Sequence, residues 1–236
     1  MDTKTAVERL RSMANPKNLE GMKRFGINPE GTLGVSIYDL RPFAKELGTD
    51  HNLAVALWKT GIHEARLLAG MVDNPALVSE RQFDEWVSDF DSWDVVDQAC
   101  SNLFDKTPFA WQKAVELCSR KEEFVKRTGF VLMSCLSVHD KSAKDADFEK
   151  FFPLIVRESS DERNFVKKAV NWALRQIGKR NLRLNKRSVA VAKEIQKLGS
   201  KSGRWIAADA LRELQSEKTL KRLAGKKNKK GLKGKV

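Results

Sequence analysis

A tryptophan and an aspartate four residues apart are the residues of this sequence best placed to do chemistry. The segment FDSWDVVDQAC, residues 90–100, has the pattern of a helix on which Trp93 and Asp97 are neighbours on one face. Both fall at the margin of the apolar stripe of this helix. A half-buried carboxylate is unfavourable unless it has a partner. Asp97 therefore either forms a structural ion pair, which is the commoner explanation in proteins at large, or belongs to a functional site.

The segment KEEFVKRTGFVLMSC, residues 121–135, offers a cation for such a carboxylate. It has the pattern of a second helix, and Arg127 falls at the margin of its apolar stripe. An arginine in this position commonly forms a structural salt bridge. The pattern alone therefore leaves open whether Arg127 has a structural or a functional role.

A third helical segment, residues 161–178, places a tryptophan on a basic face. Its apolar residues share one arc, and Trp172 lies outside that arc together with Lys168, Arg175 and Lys179. Such a face could hold a nucleotide, because cations bind phosphates and the indole offers a flat apolar surface. The alternative is a half-buried tryptophan covered by lysine and arginine stems.

The charge of the chain is strongly asymmetric. The formal net charge is +13, and residues 163–236 contain 23 Lys/Arg against four Asp/Glu. This asymmetry indicates a polyanionic partner, first a nucleic acid and second a membrane surface. A solubilising tail could explain residues 218–236 but not the basic helix before them.

Several other functions are disfavoured by the sequence. The three cysteines and three histidines lack the spacing of metal ligands, so we expect buried reduced thiols, no metal site and no cofactor. The first residues do not resemble a signal peptide, and no window of 18 apolar residues occurs. We therefore expect a cytoplasmic protein that does not enter a membrane.

Helix patterns dominate the chain and strand patterns are nearly absent, which predicts an all-α fold. The number and shortness of the helices favour helix pairs stacked as a HEAT-like solenoid with a concave surface. We predict one repeat domain over residues 1–217 and a basic, disordered tail over residues 218–236. The predicted helices lie at about 3–13, 16–24, 36–47, 50–60, 62–73, 79–90, 92–105, 108–119, 121–135, 146–157, 161–178, 187–198 and 203–216.

Six segments together resemble the AlkD-like DNA alkylation repair glycosylases. They are, by motif, SWDVVDQ, EFVKRTGFVL, NFVKKAVNWALRQIGKRN, GMKRFGI, LWKTGIHEARLLAG and RWIAADALREL. The resemblance covers roughly residues 16–215. The tryptophan–aspartate pair followed by the WALR helix is the most specific part of it.

The resemblance implies HEAT-like helix pairs that form a concave basic groove around duplex DNA. It also implies a glycosylase that removes N3- or N7-alkylated purines from double-stranded DNA without capturing the base in a pocket. We expect the protein to be a monomer. The resemblance further implies that Asp97 is the catalytic aspartate, that Trp93 and Trp172 are the site tryptophans and that Arg127 is the site arginine. We expect further cations to bind DNA phosphates, namely Lys168, Arg175, Lys179 and Arg180. The competing hypothesis is a non-catalytic repeat module that binds DNA or a protein.

Overall fold

The computed structural model of the chain describes the backbone of residues 1–233 and the side chains of residues 1–225. Over this part of the chain all regular structure is helical, which confirms the all-α prediction. A 3₁₀ turn, Phe104–Lys106, lies between the seventh and eighth helices. The helices are α1 Thr3–Ser12, α2 Pro16–Arg24, α3 Ile37–Leu47, α4 His51–Lys59, α5 His63–Val72, α6 Glu80–Ser88, α7 Trp93–Asn102, α8 Ala110–Leu117, α9 Glu123–His139, α10 Asp145–Glu149, α11 Phe152–Glu158, α12 Asn164–Gly178, α13 Leu182–Lys197, α14 Lys201–Leu214 and α15 Glu217–Lys233.

The chain divides into two compact units, Met1–Ala110 and Trp111–Val236. In the first unit α5 is the central helix and packs against α3, α4 and α7. The approach of α5 to α7 is close, because a Cβ atom added to Gly70 would lie 3.3 Å from the Cα atom of Ala99. α7 is thus held against α5 at short range.

In the second unit α12 is the central helix. It packs against α9, α11, α13 and α14, and α13 and α14 form a further pair. Its buried stripe includes Val166, Val170, Ala173 and Ile177, as the helical periodicity predicts. The opposite face of α12 is left for polar residues and for Trp172.

Two element predictions differ from the structure. The helix predicted at 146–157 is two shorter helices, α10 and α11, because Pro153 occupies the first turn of α11, where its missing N–H is tolerated. The helix predicted to start at 187 begins at Leu182, because the side chain of Asn181 accepts a hydrogen bond from the Leu184 N–H and caps it.

The basic C-terminal segment is helical in the described residues rather than disordered. The backbone of α15 runs from Glu217 to Lys233, after Ser216, whose hydroxyl accepts from the Thr219 N–H. Thr219 and Leu223, one turn apart, are buried, and their burial stabilises the start of the helix. The charge of the segment gives no indication of this burial. Residues 234–236 of the predicted tail lie outside the described residues, and the domain boundary after residue 217 stays a prediction.

No helix within the described residues combines the length and the apolar character needed to span a bilayer. All three cysteines are buried, as predicted. The concave basic groove and the cytoplasmic location stay predictions.

Candidate functional site

Trp93 and Asp97 lie in the first unit on α7, at its first and fifth residues. Both side chains are half-buried, whereas Val95, Val96, Ala99 and Cys100 form the buried face of the helix. The indole N–H of Trp93 donates a 3.0 Å hydrogen bond to the carbonyl oxygen of Phe25, the residue that ends α2. The spacing of the pair and its position at the margin of the core are as predicted.

A buried hydrogen-bonded cluster fixes the first turn of α7. Asp94 Oδ2 lies 2.9 Å from Nε2 of His63, and the hydroxyl of Ser92 donates to Asp94 Oδ1 at 2.5 Å. His63 and Ser92 are both buried. The cluster bonds Asp94, the second residue of α7, to His63 of α5. It therefore fixes the first turn of α7, which carries Trp93.

The protonation of this cluster is set by two opposing effects. Burial disfavours the charged form of each side chain, but the mutual hydrogen bond and charge of His63 and Asp94 outweigh it. The pKa of His63 is therefore raised and the pKa of Asp94 is lowered. The charges of Glu64 and Asp91 raise the pKa of His63 further.

Glu64, the next residue of α5, fixes the segment between α2 and α3. Its buried carboxylate accepts hydrogen bonds from the backbone N–H groups of Leu33, Gly34 and Val35 at 2.8, 2.7 and 3.1 Å. Gly34 has φ +81°, and an added Cβ would lie 2.2 Å from the carbonyl oxygen of Asn15, so a side chain has no room here.

This glycine segment is in turn bonded to α2. The side chain of Asn18 donates to the carbonyl oxygen of Gly34 at 2.8 Å. α2 ends at Phe25, whose carbonyl oxygen receives the Trp93 indole. The first turn of α5 therefore supports Trp93 both through α7 and through α2.

Arg127 lies in the second unit on α9 and is 5 % exposed. Its Nη1 donates a 2.6 Å hydrogen bond to the carbonyl oxygen of Phe165, in the first turn of α12. Arg127 therefore joins α9 to the helix that carries Trp172. Its predicted contact with a DNA phosphate is untested and stays a prediction.

Trp172 is half-buried on α12, and Lys168, one turn before it, is exposed. Two of the other predicted phosphate ligands on this face already have carboxylate partners on α14. Arg175 Nη1 lies 2.9 Å from Asp209 Oδ2, and Lys179 Nζ lies 2.8 Å from Glu213 Oε1. Binding of DNA by Arg175 or Lys179 would have to compete with these ion pairs.

Arg180 has a structural environment that its sequence position did not reveal. Its Nη1 donates to the carbonyl oxygens of Ser137 and Asp140, at 2.7 and 2.8 Å, at the C-terminal end of α9. Its guanidinium lies 4.1 Å from the centre of the Phe148 ring, and burial lowers its pKa. Such an arginine caps a helix end, and its predicted DNA contact has no support in this geometry.

The predicted site residues thus fall into two local groups, Trp93 with Asp97 and Arg127 with the Trp172 helix. The supporting residues His63, Glu64 and Asp94 were not predicted. A sequence indication existed for two of them, because His63 and Glu64 begin the helix HEARLLAGMV, in which the only other charged residue is Arg66. Buried charged groups on such a helix require hydrogen-bonding partners.

Comparison with known proteins gives three findings. The sequence profile of the family described as DNA alkylation repair enzyme matches residues 6–224. A solved structure described as "a new family of proteins related to the HEAT-like repeat DNA glycosylases with affinity for branched DNA structures" has a TM-score of 0.74 and 21% sequence identity, and the match covers 82% of this chain and 83% of that one. No curated protein matches the chain. The likeness confirms the HEAT-like repeat fold predicted from the sequence.

Proposed function

Because the chain belongs to the DNA alkylation repair enzyme family, we propose that it is a DNA glycosylase acting on N3- or N7-alkylated purines in duplex DNA. One observation carries the proposal. Asp97 is half-buried rather than enclosed in the core, and it lies one turn from the half-buried Trp93 on an anchored helix. We take the protein to act as a monomer in the cytoplasm.

The reaction depends on electrostatic stabilisation of the cationic sugar more than on a strong general acid. Alkylation at N3 or N7 makes the purine cationic, so the base departs as a neutral leaving group. The bond to the sugar breaks with its electron pair going to the base, and water then adds to C1′ of the cationic sugar. The side chain required is one that stabilises this oxocarbenium-like sugar and orients the water.

Asp97 has the chemistry for both tasks. An ionised carboxylate beside the sugar stabilises the developing positive charge, and its oxygens can accept a proton from the attacking water. The Trp93 ring would lie against the nucleotide, where its electron-rich face attracts a cationic base. The hydrogen bond to Phe25 and the Ser92–Asp94–His63 cluster would keep this ring in place during the reaction.

The second unit would bind the DNA backbone. Trp172 and the exposed Lys168 lie on one face of α12, where a ring and a cation can contact a sugar and a phosphate. Arg127 would act as a positioning residue, because its hydrogen bond to Phe165 holds the first turn of this helix. The lesion would be processed without capture in a closed pocket, in contrast to base-flipping enzymes.

The test is release of free base from duplex DNA that contains 7-methylguanine. The wild type should release the base faster than the spontaneous rate. Asp97→Asn should slow release about 100-fold or more, in line with loss of one preorganised charge. Glu8→Gln, which changes an exposed carboxylate on α1, is the matched control and should behave as wild type. Release of the base by the wild type at the spontaneous rate would refute the proposed glycosylase activity.

A non-catalytic DNA-binding protein is the second candidate. It is favoured by the similar solved structure, which is described as having affinity for branched DNA. This candidate predicts tight binding to DNA, with branched DNA bound better than linear duplex, and no release of alkylated base. Binding and base release measured on the same preparation separate the two candidates.

A further inference from the structure

Trp205 is exposed in a way that its surroundings do not explain. It is 41% exposed, more than any of the other five tryptophans, all of which lie in the described part of the chain. On α14 it lies opposite the buried stripe of Ile206, Ala207, Ala210 and Leu214. Tryptophan is usually well buried, so an indole turned to solvent calls for a binding partner.

The cations around Trp205 indicate the charge of that partner. Lys167 Nζ lies 5.6 Å from the centre of the Trp205 ring, a cation–π contact from α12. Lys168, Lys201 and Arg204 are all exposed on the same two helices. A ring contacted by one cation, with three more exposed cations on the same two helices, matches a ligand that combines a flat ring with negative charge.

The nearby carboxylates are already engaged. Glu162 accepts hydrogen bonds from the N–H and the hydroxyl of Ser202 at 3.0 and 3.1 Å, and these bonds, together with the charges of Lys167 and Lys201, lower its pKa. Asp209 accepts from Asn171 at 2.7 Å and pairs with Arg175. Glu162 thus offsets part of the charge of Lys167 and Lys201, whereas Asp209 is paired with Arg175 of α12.

The register of the two helices places Trp205 beside the basic face of α12. Asn171 contacts Asp209, and Arg175, further along α12, contacts Glu213, further along α14. The helices are therefore parallel neighbours, and the Lys167–Trp205 contact continues this series toward their first turns. Trp205 therefore lies beside the first turns of α12, where Lys167 contacts it.

We propose that Trp205 is a stacking platform for an unpaired nucleobase, with Lys168, Lys201 and Arg204 binding the flanking phosphates. A base inside a duplex has both faces covered by its neighbours, whereas a base in a single-stranded arm or at a junction has a free face for an indole. The protein would therefore prefer DNA in which duplex adjoins unpaired bases. This inference rests on the proposed DNA binding and specifies the kind of DNA that the second unit selects.

The experiment compares two DNAs of the same duplex sequence, one blunt-ended and one with a forked single-stranded end. Dissociation constants are measured by fluorescence anisotropy for the wild type, Trp205→Ala, Trp205→Phe and the control Leu198→Ala, which removes another exposed apolar side chain of the same unit. Trp205→Ala should weaken binding to the fork about 5- to 100-fold, the effect of losing one base–aromatic stack. Binding to the blunt duplex should change less than twofold.

Trp205→Phe, which keeps a flat ring and the fold, should lie between wild type and Trp205→Ala on the fork. Leu198→Ala should match wild type on both DNAs. Equal losses on fork and duplex, or no loss on either, would overturn the inference and leave Trp205 as a contact for a protein. A wild type that binds neither DNA would instead overturn the proposed function itself.

Discussion

At the scale of single residues, the sequence predicts neighbours within one helix better than partners across helices. The proximity of Trp93 and Asp97 follows from their spacing alone, and the structure has them in that arrangement. The partners of Arg175 and Lys179 lie on α14, more than 30 residues away in sequence. No helical pattern specifies such a pairing, so these two cations were expected to face DNA unpaired.

The structural role and the DNA-binding role of Arg127 can be separated by measuring stability and DNA binding on the same variant. Arg127→Met removes the buried donor to the Phe165 carbonyl oxygen. We expect the free energy of unfolding, measured by chemical denaturation, to fall by about 1–3 kcal/mol. The exposed Arg187→Met on α13 is the matched control and should change it by less than about 0.5 kcal/mol. Unchanged stability together with weaker DNA binding would assign Arg127 to the phosphate instead.

At the scale of elements, the support of α7 by α5 depends on the charge state of one buried pair. The raised pKa of His63 means that its contribution to stability is complete below the unfolded pKa of about 6.5 and is lost as pH rises through the folded pKa. The lowered pKa of Asp94 means that its contribution is present above about 3.8 and is lost as pH falls through its folded pKa. Both contributions coexist between these two limits.

His63→Gln should therefore destabilise the protein most in mildly acidic solution. We expect a loss of about 1.5–3 kcal/mol in unfolding free energy near pH 5–6, because the charged imidazolium beside the Asp94 carboxylate is replaced by a neutral amide. The difference from wild type should narrow as pH rises to 8 and above. Denaturant titrations of both proteins across this range measure the difference, and a difference independent of pH would show that folding does not raise the pKa of His63.

Most helices could be predicted from their apolar stripes, and some of them also from a capping residue. Ser36 and Ser79 accept hydrogen bonds from the backbone three residues on, as the sequence indicates for helix starts. The start of α13 was missed because Asn181 was not recognised as a cap. The helical character of α15 was missed because its basic composition concealed the pair Thr219 and Leu223, whose burial depends on tertiary packing.

At the scale of the whole molecule, the charge asymmetry predicts how DNA affinity depends on salt. Residues 163–236 carry 23 Lys/Arg against four Asp/Glu. If the protein neutralises about five phosphates, the plot of log affinity against log salt should have a slope of about −4 to −5. Lys168→Gln should reduce the magnitude of the slope by about 0.9, whereas Lys45→Gln, an exposed lysine of the first unit, should leave it unchanged. A slope near zero would argue against binding of DNA phosphates by these basic residues.

The carboxylate of Asp97 is proposed to stabilise the sugar cation as an alkylated base departs. A single-turnover experiment isolates this step when wild type and Asp97→Asn are saturated with the same 7-methylguanine duplex. We expect similar dissociation constants and a base-release rate about 100-fold lower in the variant. Equal release rates for the two fully bound proteins would rule out this role of Asp97.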